Sequence, residues 1–136
     1  MNTTTIYLAS ALITDQDNRM LTVRKKKSIY YMMAGGKIEK GETPEQALIR
    51  ELQEELSLTI TTNEIKLLGT HSTTAVNEAN TIVTAHIYHI IVNNTEIQPA
   101  SEIEEIKWLT IDNYQETKLA HLLKEFSLPI WLKLMK

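Results

Sequence analysis

The chain contains no cysteine. Disulfides, thiolate nucleophiles, Cys-ligated zinc and iron–sulfur clusters are therefore excluded. Long apolar runs are also missing. Stretches such as residues 82–92 are broken by polar residues, here His86 and His89, and fall short of the ~20 apolar residues that a membrane-spanning helix needs. Glycine and proline are sparse, at 4 and 3 residues, and no Ser/Gly/Pro-rich stretch marks a linker. There is no basic excess: Lys+Arg is 14, Asp+Glu is 17, and the net charge is −3. A protein that coats a nucleic-acid polymer needs a basic footprint that this chain lacks. Single nucleotides stay open, because a metal ion can carry the positive charge. The opening residues, Met1-Asn2-Thr3-Thr4-Thr5, place no basic residue ahead of an apolar run, so no signal peptide is expected. The expectation is a cytoplasmic protein with neither a membrane nor a nucleic-acid polymer as partner.

What is present suits one globular domain over residues 1–136. Apolar residues make up 43% and charged residues 23%, enough for a core without a covalent staple. Apolar and β-branched runs predict strands over residues 6–14, 20–24, 29–33, 67–75, 81–92 and 105–110. The turn cluster Asp15-Gln16-Asp17-Asn18 suggests that the first two strands form a hairpin. Helices are predicted over 43–56 and 119–126, the second with Pro129 near its end and a short continuation toward residue 136. Strands interleaved with helices point to α/β or α+β layering.

The helix over 43–56 is the most informative element. Thr43 is a good N-cap, Pro44 suits the first helical position, and Gln46 completes a capping box. At about 100° per residue, Leu48, Leu52, Leu56 and Ile49 share one arc that faces a core. Glu51, Glu54 and Glu55 share a second arc, with Glu55 at the border of the apolar one. Glu51 and Glu55 are i,i+4 like charges, which destabilise a helix by about 0.2–0.5 kcal/mol, and burial raises that penalty. Arg50 offsets part of it. Clustered carboxylate oxygens suit Mg²⁺ or Mn²⁺. A solvated charged helix face is the plain alternative.

The preceding residues, Gly35-Gly36-Lys37-Ile38-Glu39-Lys40-Gly41-Glu42, join a strand to this acidic helix. Glycines there allow close backbone approach to a ligand, and free backbone groups beside carboxylates make a metal–phosphate seat.

Gly36, Glu42, Arg50, Glu51, Leu52, Glu54, Glu55 and Leu58 match the Nudix box, G-x5-E-x7-R-E-U-x-E-E-x-G-U, where U is apolar. Over residues 36–58, and in the elements around them, the chain resembles the Nudix hydrolase family. Ser57 stands at the late box glycine, and Ala34 where a proline commonly precedes the double glycine. The resemblance implies an α/β/α sandwich around a mixed sheet. It also implies Mg²⁺-dependent hydrolysis of a nucleoside diphosphate linked to another group, with Mn²⁺ as a substitute ion. It implies that Glu51, Glu54 and Glu55 ligate metal, that a carbonyl of Gly35 or Gly36 joins them, and that Arg50 orients a glutamate. Glu42, with Gly41 beside it, would support the loop–helix geometry. In MutT-like members a glutamate ahead of the last strand binds metal or acts as the base. Glu102 falls about there, with Glu104 and Glu105 as rivals, and a box glutamate is the other candidate for the base.

Beyond the box the residues say less. Lys37, Tyr7 and Tyr88 are candidate substrate contacts; ordinary sheet packing is the alternative for these tyrosines and for Tyr30 and Tyr31. Lys25-Lys26-Lys27 reads as a solvated run or a phosphate contact. His71, His86, His89 and His121 are scattered, and His86 and His89, three apart in a strand, face opposite ways. Residues 72–75 carry neither the proline that ADP-ribose hydrolases tend to have there nor the tyrosine of dinucleoside polyphosphate hydrolases. Elimination leaves a small MutT-like enzyme acting on (d)NTPs, including oxidised ones such as 8-oxo-dGTP. A Nudix-fold module that binds a nucleotide without cleaving it is the alternative. Monomer and homodimer are both open.

Overall fold

The computed structural model describes residues 3–93 and 97–135. Its framework is a mixed sheet centred on β1 (Thr4–Thr14). On one side β1 runs parallel to β5 (Thr81–Ile91) along its whole length, from Thr4↔Thr81 to Thr14↔Ile91. On the other side it has two antiparallel partners in succession. Residues Leu8 to Ala11 pair with β3 (Ala34–Lys37), and Ile13 and Thr14 pair with Leu21 and Met20 of β2 (Met20–Lys25). β4 (Lys66–Thr74) extends the sheet beyond β5, and β6 (Ile103–Leu109) extends it beyond β2.

Period-two alternation sorts the strand side chains onto two faces. Ala9, Ala11, Ile13, Tyr88 and Ile90 meet Leu48, Leu52 and Leu56 of α1 (Pro44–Leu56). Leu12, Met20, Ala85, Ile87 and Leu109 meet Leu123 and Trp131 of the C-terminal helical segment on the opposite face. The expected sandwich, a mixed sheet with a helix on each face, is what forms.

Local chemistry sets the ends of α1. The Gln46 N–H donates to Thr43 Oγ1 (3.1 Å), and the Thr43 N–H donates to Gln46 Oε1 (2.9 Å). At the C-terminus Ser57 is left-handed, at φ 56° and ψ 32°, and the Leu58 N–H reaches back to the Leu52 carbonyl at 3.2 Å. This is the C-cap arrangement that glycine usually occupies.

Two expectations shift. The strand expected over 29–33 lies further along, at Ala34–Lys37, while Tyr31 and Met32 make only isolated bridges to Leu119 and Val23. The glycines allow this, because a Cβ on Gly35 would run into the Ala9 backbone of β1. The final helix starts at residue 121 rather than 119, because Leu119 bridges to Tyr31. It then passes through a π-helical turn, Leu123–Ser127, into α2 (Leu128–Leu134). Pro129 lies in the first turn of α2. Its missing N–H falls where the π turn has already broken the i→i−4 ladder, so the helix continues past it.

A left-handed serine costs about 1–2 kcal/mol, whereas glycine adopts that conformation without strain and adds entropy to the unfolded chain. Ser57→Gly is therefore expected to raise stability by about 0.5–1 kcal/mol in urea unfolding. A loss of stability would show that the serine is unstrained there.

Candidate active site

β3 carries the glycine pair into the sheet, and the loop over residues 38–43 turns the chain back into α1. A Cβ on Gly36 would overlap the Glu51 carboxylate, so the absent side chain is what lets that carboxylate lie against β3. In the loop, the Glu39 N–H donates to Glu42 Oε1 (2.9 Å) and the Glu42 N–H to the Glu39 carbonyl (3.0 Å). Gly41 completes the turn at φ 88°.

Arg50 is the hub of the acidic cluster. It donates to both oxygens of Glu42, from Nε at 2.7 Å and from Nη2 at 3.0 Å. Nη1 reaches Glu51 at 3.0 Å and Glu54 at 3.1 Å. Nη2 also reaches the Lys37 carbonyl at 3.1 Å, which ties the helix to β3. The guanidinium holds the Glu42 carboxyl down at about 2, and the carboxylates in turn raise the Arg50 pKa. Bidentate geometry of this kind is what a guanidinium supplies and an ammonium does not.

Glu55 behaves differently. It is only 6% exposed, and the Gly35 N–H donates to its Oε1 at 3.0 Å. Burial pushes its carboxyl up to about 7, against one lowering hydrogen bond from Gly35. Burial also raises Glu51, and Arg50 works against that rise. On the far wall Lys25 Nζ stands 3.7 Å from Glu102 Oε2. Together these groups line a polar cleft of about 330 Å³.

The donor set fits a hard divalent cation: carboxylate oxygens and main-chain carbonyls, with no sulfur ligand. The buried Glu55 carboxylate has one backbone donor and forms no ion pair among the described residues, and the attraction of Lys25 does not offset its burial, a costly state unless more positive charge is supplied. Among the described residues no three acidic or histidine side chains stand ready as a complete ligand cage, since Arg50 engages Glu51 and Glu54.

A second cavity, of about 160 Å³, adjoins the first on the face of the sheet covered by the C-terminal helix. Leu8, Met32, Met33, Val83, Leu122 and Leu123 make it apolar. Both cavities share Lys25, Gly35, Gly36 and Lys37. A molecule with an apolar ring system and a charged tail could therefore span the two.

The expected site residues divide clearly. Arg50, Glu51, Glu54, Glu55, Gly35, Gly36, Lys37 and Glu102 gather at the cleft. Glu105 is engaged by Tyr31 (2.8 Å) and Arg24 (3.1 Å), and Glu104 lines neither cavity. The two tyrosines proposed as substrate contacts lie elsewhere. Tyr88 is 2% exposed, on the α1 face of β5, and donates to Glu45 Oε2 at 2.8 Å. Tyr7 is 58% exposed and lines neither cavity. Both positions follow from strand parity: the cavity takes Ile6, Leu8 and Ser10 of β1, and Tyr7 alternates with them. The histidines do not gather: His89 bonds Thr14, His71 bonds Glu125, and His121 bonds Thr74. Two cleft residues were missed, Glu39 and Ser101, and Lys25 was placed only within a lysine run read as solvated or in contact with phosphate. Of that run, Lys26 and Lys27 are indeed exposed.

A model of the NUDIX domain matches residues 6–128. The 8-oxo-dGTP diphosphatase of Proteus vulgaris is 42% identical over 60 residues, 41% of this chain and 54% of that protein. The chain thus spans about half the length of that relative. The ADP-ribose pyrophosphatase of Methanocaldococcus jannaschii is 24% identical over 123 residues, 85% of this chain and 71% of that protein. In structure, the chain is similar to a MutT NUDIX hydrolase from Burkholderia pseudomallei, with a TM-score of 0.74 and 22% identity. That likeness covers 97% of this chain and 98% of the other. The two curated relatives are named for different substrates.

The state of Glu55 makes a prediction about stability. Its pKa is about 7 folded and near 4.5 when unperturbed, so the folded chain binds that proton more tightly than the unfolded one. Without a divalent cation, its contribution therefore becomes less favourable as pH rises from 4.5 through 7. Glu42 has the opposite sign: its stabilisation is lost as pH falls from 4.5 toward 2. In metal-free buffer, Glu55→Gln should melt above the wild type at about pH 8, and the gap should close toward about pH 5. Millimolar Mg²⁺ or Mn²⁺ should raise the wild-type melting temperature at the higher pH. A gap that does not change with pH, or no response to either ion, would count against a buried metal-ligating carboxylate.

Proposed function

Since the chain belongs to the NUDIX domain family, we propose that it is a Mg²⁺-dependent pyrophosphohydrolase acting on a nucleoside diphosphate linked to another group. The substrate class we propose is a (d)NTP, including oxidised ones such as 8-oxo-dGTP. One observation carries this reading: the acidic cleft and the apolar cavity share the Gly35–Lys37 strand. A nucleoside in the cavity would deliver its phosphates to the carboxylates. The similarity to a protein named 8-oxo-dGTP diphosphatase supports the substrate class. The proposal takes residues 1–136 as one cytoplasmic domain with its box over 36–58.

Each residue has a task in this scheme. Glu51, Glu54 and Glu55, with a carbonyl of Gly35 or Gly36, would hold the Mg²⁺ or Mn²⁺. The bound ion would neutralise phosphate charge and lower the pKa of water. Arg50 keeps Glu51 and Glu54 in place, and Glu42 fixes Arg50. Lys37 offers charge to the phosphates at the junction of the two cavities. Glu102 takes the proton from the attacking water. A new O–P bond forms, the anhydride P–O bond breaks, and the departing phosphate leaves with the electron pair.

A panel of (d)NTPs, oxidised nucleotides, ADP-ribose, nucleotide sugars and dinucleoside polyphosphates, assayed with and without Mg²⁺, tests the reading. Metal-dependent cleavage of a (d)NTP is the expected result. Binding without cleavage would favour a non-catalytic nucleotide module, and selective cleavage of ADP-ribose would replace the substrate class. Glu54→Gln should lower kcat by at least ~10²-fold while the fold survives. Glu102→Gln should lower kcat with nucleotide binding nearly intact, and the deficit should shrink as pH rises, because hydroxide then replaces assisted water. Glu104→Gln should change little. Full activity in Glu102→Gln would return the role of base to Glu51 or Glu54.

A further inference from the structure

The tip of the β4–β5 hairpin, residues 75–80, reaches the apolar cavity, and its geometry is well tied down. The Ala75 N–H donates to the Thr81 carbonyl (2.9 Å), Thr81 Oγ1 to the Ala79 carbonyl (2.9 Å), and the Thr4 N–H to the Asn80 carbonyl (3.0 Å). A further link crosses from the loop between β2 and β3: Ser28 Oγ donates to Asn77 Oδ1 at 3.3 Å. Ser28 is itself buried. It is held by the Tyr30 N–H on its Oγ (3.1 Å) and by Arg24 on its carbonyl (3.0 Å).

This link orients the Asn77 amide. Its oxygen is occupied by Ser28, and its Nδ2 has no partner among the described residues. Glu78, the next residue, makes no hydrogen bond or ion pair among the described residues. Asn77 and Glu78 both line the apolar cavity, as do the polar side chains of Lys25, Lys37, Thr74 and His121. The cavity lining thus includes an amide donor and a carboxylate acceptor on consecutive residues, together with methionine and aliphatic side chains.

We propose that Asn77 and Glu78 read the base of the bound nucleotide and select a lactam edge, a ring N–H beside a carbonyl. This rests on the nucleotide-hydrolase reading above and goes beyond it by naming the specificity residues and the base chemistry. The Asn77 amide donates to the carbonyl, and the Glu78 carboxylate accepts from the ring N–H. Guanine, hypoxanthine, uracil and thymine present that edge. Adenine and cytosine present the reverse, an amino donor and a bare ring nitrogen. Against them two donors would face each other and two acceptors would face each other, with their hydrogen bonds to water lost.

Calorimetric titration of the full chain with GMP, IMP and UMP against AMP and CMP tests this without requiring turnover. The lactam nucleotides should bind at least ~10-fold more tightly. Asn77→Asp keeps an oxygen for Ser28 but replaces the donor with an acceptor, and should cut or invert that preference by at least ~10-fold. Glu78→Gln, which retains an acceptor oxygen but not the charge, should weaken it less. Equal affinity for all five in the wild type overturns the inference, as does binding of none of them. Unchanged selectivity in both variants, with wild-type melting curves, also overturns it. Hydrolysis of GTP and ATP separates this from the parent reading. Equal kcat/KM for both overturns base selection and leaves the hydrolase standing. No hydrolysis of any member of the nucleotide panel above, with selective monophosphate binding, sinks the hydrolase and retains base selection.

Discussion

Repulsion among carboxylates beside a hydrophobic face is the constraint around which this molecule is arranged. Glu51, Glu54 and Glu55 lie within two helical turns, and Glu55 is buried. The chain answers with a single guanidinium. Arg50 binds Glu42 through two parallel hydrogen bonds and reaches Glu51 and Glu54 from its remaining nitrogen. It also bonds the Lys37 carbonyl, so the charge balance and the docking of α1 on β3 are one interaction. Glu55 lies outside Arg50's reach. Its carboxyl is left with a backbone N–H and a pKa pushed up to about 7, a state that a divalent cation relieves.

The sheet then divides the labour. Because successive side chains of β1 point to opposite faces, one strand serves both the core under α1 and the wall of the apolar cavity. β3 is the shared boundary, and its two glycines matter for different reasons. Gly35 approaches the β1 backbone, and Gly36 makes room for the Glu51 carboxylate. A side chain at either position would push strand or carboxylate away and separate the two cavities from the groups that serve them.

Much of α1 was legible in the residues alone. The capping box, the apolar arc and the position of Glu55 at its border all depend on neighbours within a turn or two, where spacing translates directly into geometry. The glycine pair was also visible, although its strand was expected a few residues earlier. Glu102 could only be placed as one of three acids. The structure separates them, because Glu105 is taken by Arg24 and Tyr31, Glu104 lines neither cavity, and Glu102 lines the cleft beside Lys25.

What the sequence determined by itself is therefore the local and the periodic: the acidic helix, its caps, the strand content and the family to which they belong. What only the tertiary structure decided is which side of each strand meets which cavity. Tyr7 and Tyr88 were reasonable ring-stacking candidates by type, yet parity and pairing turn both away from the apolar cavity. Lys25 was one lysine of three until the pairing of β2 with β6 carried it to the junction of both cavities. Strand register is set by partners far away in the chain, and a shift of one residue reverses every side chain. No window of neighbouring residues contains that information.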